Sequence, residues 1–159
     1  MAKVYLLCGK IASGKTFYAK KMQENQTAVI LSVDDLMLNL FDGCLGEKHN
    51  ETVARIYNYF YGLAREMIAK EISVIFDSGF WTKAERAQVK KHFADQGIQT
   101  ELHYVKVPEE RRLGQLDRRN KSLQGSPSRQ YIIGRELLAR LDSRFEEPDA
   151  DEIDVLAQL

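Results

Sequence analysis

The octet Gly9-Lys10-Ile11-Ala12-Ser13-Gly14-Lys15-Thr16 constrains this chain more than any other stretch, because it matches G-x-x-x-x-G-K-[ST] at every fixed position. Glycines let a backbone curl until successive N–H groups converge on one anion. A helix that starts at the same place directs its positive end at that anion. The pattern has meaning only between a strand and a helix, and both are present in the sequence. Val4–Cys8 is a short apolar run, and Thr16–Glu24 has helical character, with apolar residues from Phe17 to Met22 around Lys20 and Lys21. The octet therefore reads as a phosphate cradle in which Lys15 reaches the β- and γ-phosphates and the Thr16 hydroxyl ligates Mg²⁺. Binding of ATP with Mg²⁺ is the first expectation. Lys10 reads as a solvated lysine within the loop.

Strand-like and helical segments alternate through the rest of the chain. Thr27–Ser32, Ile72–Phe76 and Gln99–Val107 have strand character, while Asp34–Phe41, Asn50–Lys70 and Lys83–Gln96 follow a period near 3.6, the last stopping at Gly97. After Pro108 come a charged helix over Glu109–Asn120, a polar loop over Lys121–Ser128 and a further helix over Gln130–Phe145. An acidic turn at Pro148–Glu152 then precedes a short apolar tail. Alternation of this kind implies right-handed crossovers and a parallel sheet. The expected fold class is α/β: a doubly wound parallel sheet of four to five strands, helices on both faces, and a helical lid around residues 118–130. With 159 residues the whole chain, 1–159, reads as one domain.

Composition narrows the partners. Lys and Arg total 23 and Asp and Glu total 23, so no global basic field draws the chain to bulk nucleic acid or acidic membranes. No apolar run approaches the roughly 18 residues that cross a bilayer, and the N-terminus lacks the pattern of a signal peptide. A cytoplasmic protein is expected, with Cys8 and Cys44 reduced. His49, His92 and His103 show no ligand spacing, so no zinc site is expected.

In a doubly wound sheet, ligands gather outside the carboxyl ends of the strands. Asp34 and Asp35 follow the second strand and Asp77 follows the third. A phosphoryl acceptor needs its hydroxyl held in line and its proton accepted, and Asp34 is the candidate for that work. Asp77 is the candidate partner for the metal and its water. Asp34 and Asp35 also suit a helix N-cap and first turn. Among the arginines of the late charged segment, Arg111, Arg112, Arg118 and Arg119, the candidates to close on the phosphates are Arg119 first and Arg118 second; the other reading is a solvated face paired with Glu109, Glu110 and Asp117. Phe80 and Trp81 are candidates for an acceptor wall, and Tyr57, Tyr59, Phe60 and Tyr61 read mainly as core.

The stretches LLCGKIASGKTFYAK, LSVDDLMLNLF, VIFDSGFW, VKVPEERRLGQLDRRN and FEEPDADE, in that order, resemble the small P-loop kinases of the AAA-type ATP-binding group, related to zeta toxins, polynucleotide 5′-hydroxyl kinases and chloramphenicol phosphotransferases. The resemblance implies that an aspartate after the second strand orients or deprotonates the acceptor, the place Asp34 holds in VDDL. It also implies a lid arginine on the ATP phosphates, the place of Arg119 or Arg118 in DRRN. Polynucleotide kinases tend to carry an arginine shortly after that aspartate, whereas this chain reads Leu36-Met37-Leu38. The expected activity is transfer of the γ-phosphate of ATP to a hydroxyl of a small molecule. A polynucleotide 5′-hydroxyl kinase and a nucleotide-binding regulatory switch are the alternatives. Asn120-Lys121-Ser122-Leu123 lacks the last aspartate of a guanine motif, and the chain is short for a mechanochemical AAA+ ATPase.

Overall fold

The computed structural model describes residues 1–41, 45–125 and 132–159. The strands are β1 (Val4–Cys8), β2 (Ala28–Leu31), β3 (Ser73–Gly79), β4 (Thr100–Lys106) and β5 (Val155–Gln158). The helices are α1 (Lys15–Glu24), α2 (Val33–Leu40), α3 (His49–Ile68), α4 (Lys83–Ala94), α5 (Glu109–Leu123) and α6 (Arg135–Ser143). The strands form one parallel sheet in the order β2-β3-β1-β4-β5. The acidic turn and apolar tail thus supply a fifth strand, parallel to β4.

All five residues of β1 are buried, as expected of a central strand covered on both faces. Alternation along it divides the core. Val4, Leu6 and Cys8 pack with Val74, Phe76, Leu102 and Tyr104 against Met37, Ile56, Phe60, Ala64, Val89 and Phe93 of α2, α3 and α4. Tyr5 and Leu7 face the other way with Ile75, against Ala19 of α1. Helices therefore lie on both faces of a doubly wound sheet. Cys8 is free and buried, and burial pushes its thiol up to about 11; Cys44 lies outside the described residues.

Element ends differ from the sequence reading in instructive places. α2 begins at Val33, with Ser32 as its N-cap: Ser32 Oγ accepts the Asp35 amide at 3.2 Å. Asp34 is thereby relieved of capping. β3 continues through Asp77 and Ser78 to Gly79, so Asp77 stands within the strand. α5 runs to Leu123, past the expected end at Asn120, and α6 begins only at Arg135. Of the expected lid, residues 118–123 form the end of α5 and 126–130 lie outside the described residues.

Because chain order turns back at β1, the carboxyl ends of β1, β3 and β4 flank the crevice where an open α/β sheet takes ligands.

Candidate active site

The loop 9–14 leaves β1 between its two neighbours. Gly9 N donates to Gly79 O at 3.2 Å, at the end of β3. A Cβ on Gly9 would stand 2.6 Å from Val105 O of β4 and 2.7 Å from Ser13 Oγ, so only glycine passes here. Ala12 takes φ 59°, a left-handed conformation that costs an L-residue about 1 kcal/mol. α1 then starts at Lys15 behind Gly14 with no side-chain cap, which leaves its first amides for a ligand. Ser13 is buried and its Oγ has no hydrogen-bond partner among the described residues. A phosphate group fits this cradle on three counts: uncapped amides, an unused hydroxyl and a lysine across the mouth.

That lysine is Lys15, whose Nζ donates to Gly9 O at 2.9 Å and Lys10 O at 2.8 Å. Desolvation by the surrounding loop lowers its pKa, while Asp77, Cys8 and Asp34 act in the other direction. Ile11, Ala12 and Gly14 complete the loop backbone. The charge of Lys10 is felt by Glu109 and Glu147.

Thr16 Oγ1 donates to Asp77 Oδ2 at 2.7 Å. This pairs the loop hydroxyl with a carboxylate only 8% exposed, and both are hard oxygen donors suited to Mg²⁺. Among the described residues no group of three or more His, Cys, Asp or Glu could hold a metal ion. A Mg²⁺ ion held by Thr16 and Asp77 would take its remaining ligands from phosphate oxygens and water.

Asp34, in the first turn of α2, is exposed. Partial desolvation by neighbouring protein atoms raises its pKa and the nearby Asp77 adds to the rise, while Lys15, His49 and Arg119 pull it down. Lys15 and Asp34 thus each interact electrostatically with the other, with Asp77 and with Arg119, which gathers four expected residues around them. Arg118 is exposed, and Arg119, half-buried, is the one of the pair that acts on Lys15 and Asp34.

His49 and Arg86 were not among the expected site residues, and Arg112, expected on a solvated face or closing on the phosphates, is instead buried and paired with Glu109. His49, the first residue of α3, adds its charge interaction to Asp34. Arg112 is buried and tethers the loop. Its Nη1 donates to Ile11 O at 3.1 Å, and the guanidinium pairs with Glu109 and Asp142 at 2.5 Å each. Arg86, fully buried, pairs with Glu152 at 2.9 Å and donates to Phe80 O and Glu146 O, pinning the turn after β3 to the segment before β5. That turn is sharp: Gly79 has φ 85° and Phe80 φ 44°. The i, i+3 spacing of Glu109 and Arg112 was a local signal; the partners Ile11, Asp142 and Glu152 had none.

This crevice, with a phosphate loop after β1 and carboxylates on β3 and α2, defines a P-loop kinase-like domain. The chain matches the AAA domain family over residues 4–148 and belongs to it. Among curated proteins none matches by sequence. Solved structures share the fold at low identity. Kti12 of Chaetomium thermophilum, in complex with ADP-AlF3, is 17% identical with a TM-score of 0.68, over 98% of this chain and 88% of that one. The APS kinase CysC of Mycobacterium tuberculosis, in complex with AMPPNP and APS, is 20% identical with a TM-score of 0.62, over 99% and 88%. A chain of the Pnkp1/Rnl/Hen1 RNA repair complex is 16% identical with a TM-score of 0.69, over 90% and 43%. Among the described residues, no helix is long and apolar enough to cross a membrane.

Proposed function

We propose that this chain is an ATP- and Mg²⁺-dependent phosphotransferase that acts on a hydroxyl of a small molecule. The observation that carries the reading is the meeting of Asp34 with Lys15, Asp77 and Arg119 at the mouth of the phosphate loop. That the solved relatives include nucleotide complexes and an APS kinase supports it further.

In this reading the loop amides, Ser13 and Lys15 hold the phosphates of ATP, and Thr16 and Asp77 hold Mg²⁺, which supplies charge neutralisation along the phosphate chain. Asp34 holds the acceptor hydroxyl. The acceptor oxygen forms a bond to the γ-phosphorus as the bond from that phosphorus to the β–γ bridging oxygen breaks. ADP leaves with the electron pair, and the acceptor proton passes to an Asp34 carboxylate oxygen. A carboxyl raised above its ordinary value is a stronger base when ionised, which suits that transfer. Arg119 meets charge spread over the equatorial oxygens.

A polynucleotide acceptor is disfavoured by α2 itself. Its positions after Asp34 and Asp35 are Leu36, the buried Met37 and Leu38, none of which holds a substrate phosphate.

The test is transfer of label from γ-labelled ATP with Mg²⁺ to pooled acceptors: nucleosides, sugars, amino alcohols and 5′-hydroxyl oligonucleotides. Label is expected on a small alcohol, lost in Asp34→Asn while ATP affinity stays within a few-fold. Lys15→Ala is expected to lose transfer and weaken ATP together. Full activity in Asp34→Asn would remove that residue from the chemistry, and tight ATP binding without transfer to any acceptor would favour a regulatory switch.

A further inference from the structure

A second cavity, of about 410 Å³, opens between α3 and α4 beside the end of β3. Its volume is in the range that holds a small organic ligand. Three aromatic rings wall it: Tyr57, Tyr61 and Phe80. Tyr57 lies with ring centroids 5.9 Å from Tyr61 and 6.5 Å from Phe80, and His92 packs on Tyr61 from 4.7 Å. Phe80 is fixed from behind, since Arg86 and Cys8 both donate to its carbonyl. Rigid walls of this kind suit a ring or a compact apolar body.

The polar groups of the cavity are unusual in sign. Asn50, Asn58 and Gln88 contribute uncharged amides, and Glu85 contributes the one charged side chain among the lining residues. No lysine, arginine or histidine lines it. Glu85 is held in place by α4, where its Oε2 accepts the Thr82 amide at 3.1 Å in a capping box. At the other end the cavity adjoins the phosphate loop through Phe80: Gly79, the residue before it, accepts from the Gly9 amide at 3.2 Å, and the Phe80 carbonyl accepts from Cys8 Sγ at the end of β1. Lys15 and Arg119 offset Asp34 on its phosphate side, whereas nothing cationic in the lining offsets Glu85.

Resting on the kinase reading, we propose that the α3–α4 cavity is the acceptor site and that it selects a ring-bearing amino alcohol, its ammonium at Glu85 and its hydroxyl at Asp34. Aromatic faces and a carboxylate together recognise an organic cation. An acceptor bearing phosphate, sulfate or carboxylate would set its anion against the like charge of Glu85, with no cation in the lining to offset it. The site would thus work by attraction of a cation and rejection of anions of the same shape.

Three probes share one phenyl carbinol and differ in charge: 2-amino-1-phenylethanol, 1-phenyl-1,2-ethanediol and mandelate. Their affinities for the full chain are measured by calorimetry with ADP and Mg²⁺ present, alongside label transfer from γ-labelled ATP. The amino alcohol is expected to bind about tenfold tighter than the diol, and mandelate weakest. Glu85→Gln is expected to bring the amino alcohol to the affinity of the diol. Glutamine at this position also completes a capping box, so α4 keeps its start, and an unchanged melting midpoint verifies that. Tyr61→Leu is expected to weaken amino alcohol and diol together.

Mandelate binding as tightly as the amino alcohol, no binding of any probe, or an order untouched by Glu85→Gln would each overturn the proposal. The two readings fail differently. Label found on an anionic alcohol keeps the kinase and overturns this acceptor class. Charge-ordered binding that Glu85→Gln abolishes, with label transferred to nothing, supports the cavity's selectivity and counts against the transfer reaction.

Discussion

Replacing Arg112 with methionine tests whether the phosphate loop is held by charges that reach it from the late helices. Its guanidinium contacts Asp142 through two nitrogens, at 2.5 and 3.2 Å, contacts Glu109 at 2.5 Å and donates to Ile11 O at 3.1 Å. The Arg112 side chain is 3% exposed, against 24% for Asp142 and 58% for Glu109. Unit charges 4 Å apart attract by about 4 kcal/mol at an effective dielectric near 20. Desolvation of the buried guanidinium consumes about half of that for the Asp142 pair, and the exposed Glu109 pair adds only about 0.5 kcal/mol. With about 1 kcal/mol for the bond to Ile11 O, Arg112→Met should cost about 3.5 kcal/mol, or about 10 °C in melting midpoint for a chain of this size. Urea unfolding followed by Trp81 fluorescence reads this directly. A double-mutant cycle with Asp142→Asn should give a coupling of about 2 kcal/mol. Strictly additive costs would refute the reasoning, because the pair would then not act as a pair. Arg112→Met should also weaken ATP binding, since Ile11 loses its anchor within the cradle.

Gly9→Ala places a methyl group 2.6 Å from the Val105 carbonyl, which belongs to β4 and cannot swing aside. A loss of about 2 kcal/mol and of nucleotide binding is expected, measured by melting and calorimetry; a wild-type melting curve would show that the loop has room the geometry denies. Asp34 has a folded pKa above its ordinary value of 3.8, owing first to desolvation and then to Asp77. A group raised in this way favours folding below the unfolded pKa, and the contribution disappears as pH rises through the folded value. Ionised Asp34 is therefore a cost at pH 7, and Asp34→Asn should melt higher than the parent there, with the gap closing in acid. Equal midpoints at pH 7 would mean that Asp34 ionises without penalty.

What could be read from the sequence follows the range of the interactions involved. The octet 9–16 is contiguous, its glycines answer to backbone geometry alone, and the flanking strand and helix lie on either side of it in sequence. Strand identities were equally local: a central parallel strand is apolar throughout, and Val4–Cys8 and the Val74–Phe76 part of β3 are so. Ends were harder, because they are decided by competition between neighbours. Ser32 and Asp34 both suit an N-cap, and the hydroxyl of Ser32 holds the place, which frees the Asp34 carboxylate for the cleft. Asp77 looks like a turn residue in sequence, yet β3 carries it as a strand residue, because β1 pairs with β3 through Leu7 and Asp77 and, past an irregularity, through Cys8 and Gly79.

The two halves of the crevice differ in this same respect, and the difference bears on how such a protein changes substrate. The phosphate half draws mainly on one stretch, completed by Asp77 from β3 and by the Arg112 tether, so it is legible in the sequence. The acceptor half, as proposed, would be assembled from α2, the start and face of α3, the strained turn at Phe80 and the first turns of α4. Those parts come from more than 50 positions of chain, and no pattern within any one of them announces a pocket. Tyr57 and Tyr61 follow helical spacing that any core helix would use, and Glu85 satisfies a capping box whether or not it meets a ligand. Each wall residue thus has a folding role that helix geometry already explains, and only their convergence marks a site. Wall positions such as Asn58 and Gln88 lie exposed on their helices and make no part of the hydrophobic core. They can change while the phosphate loop, its Arg112 tether and the Asp34 carboxylate stay in place, so on the proposed function the choice of acceptor would be separate from the transfer step.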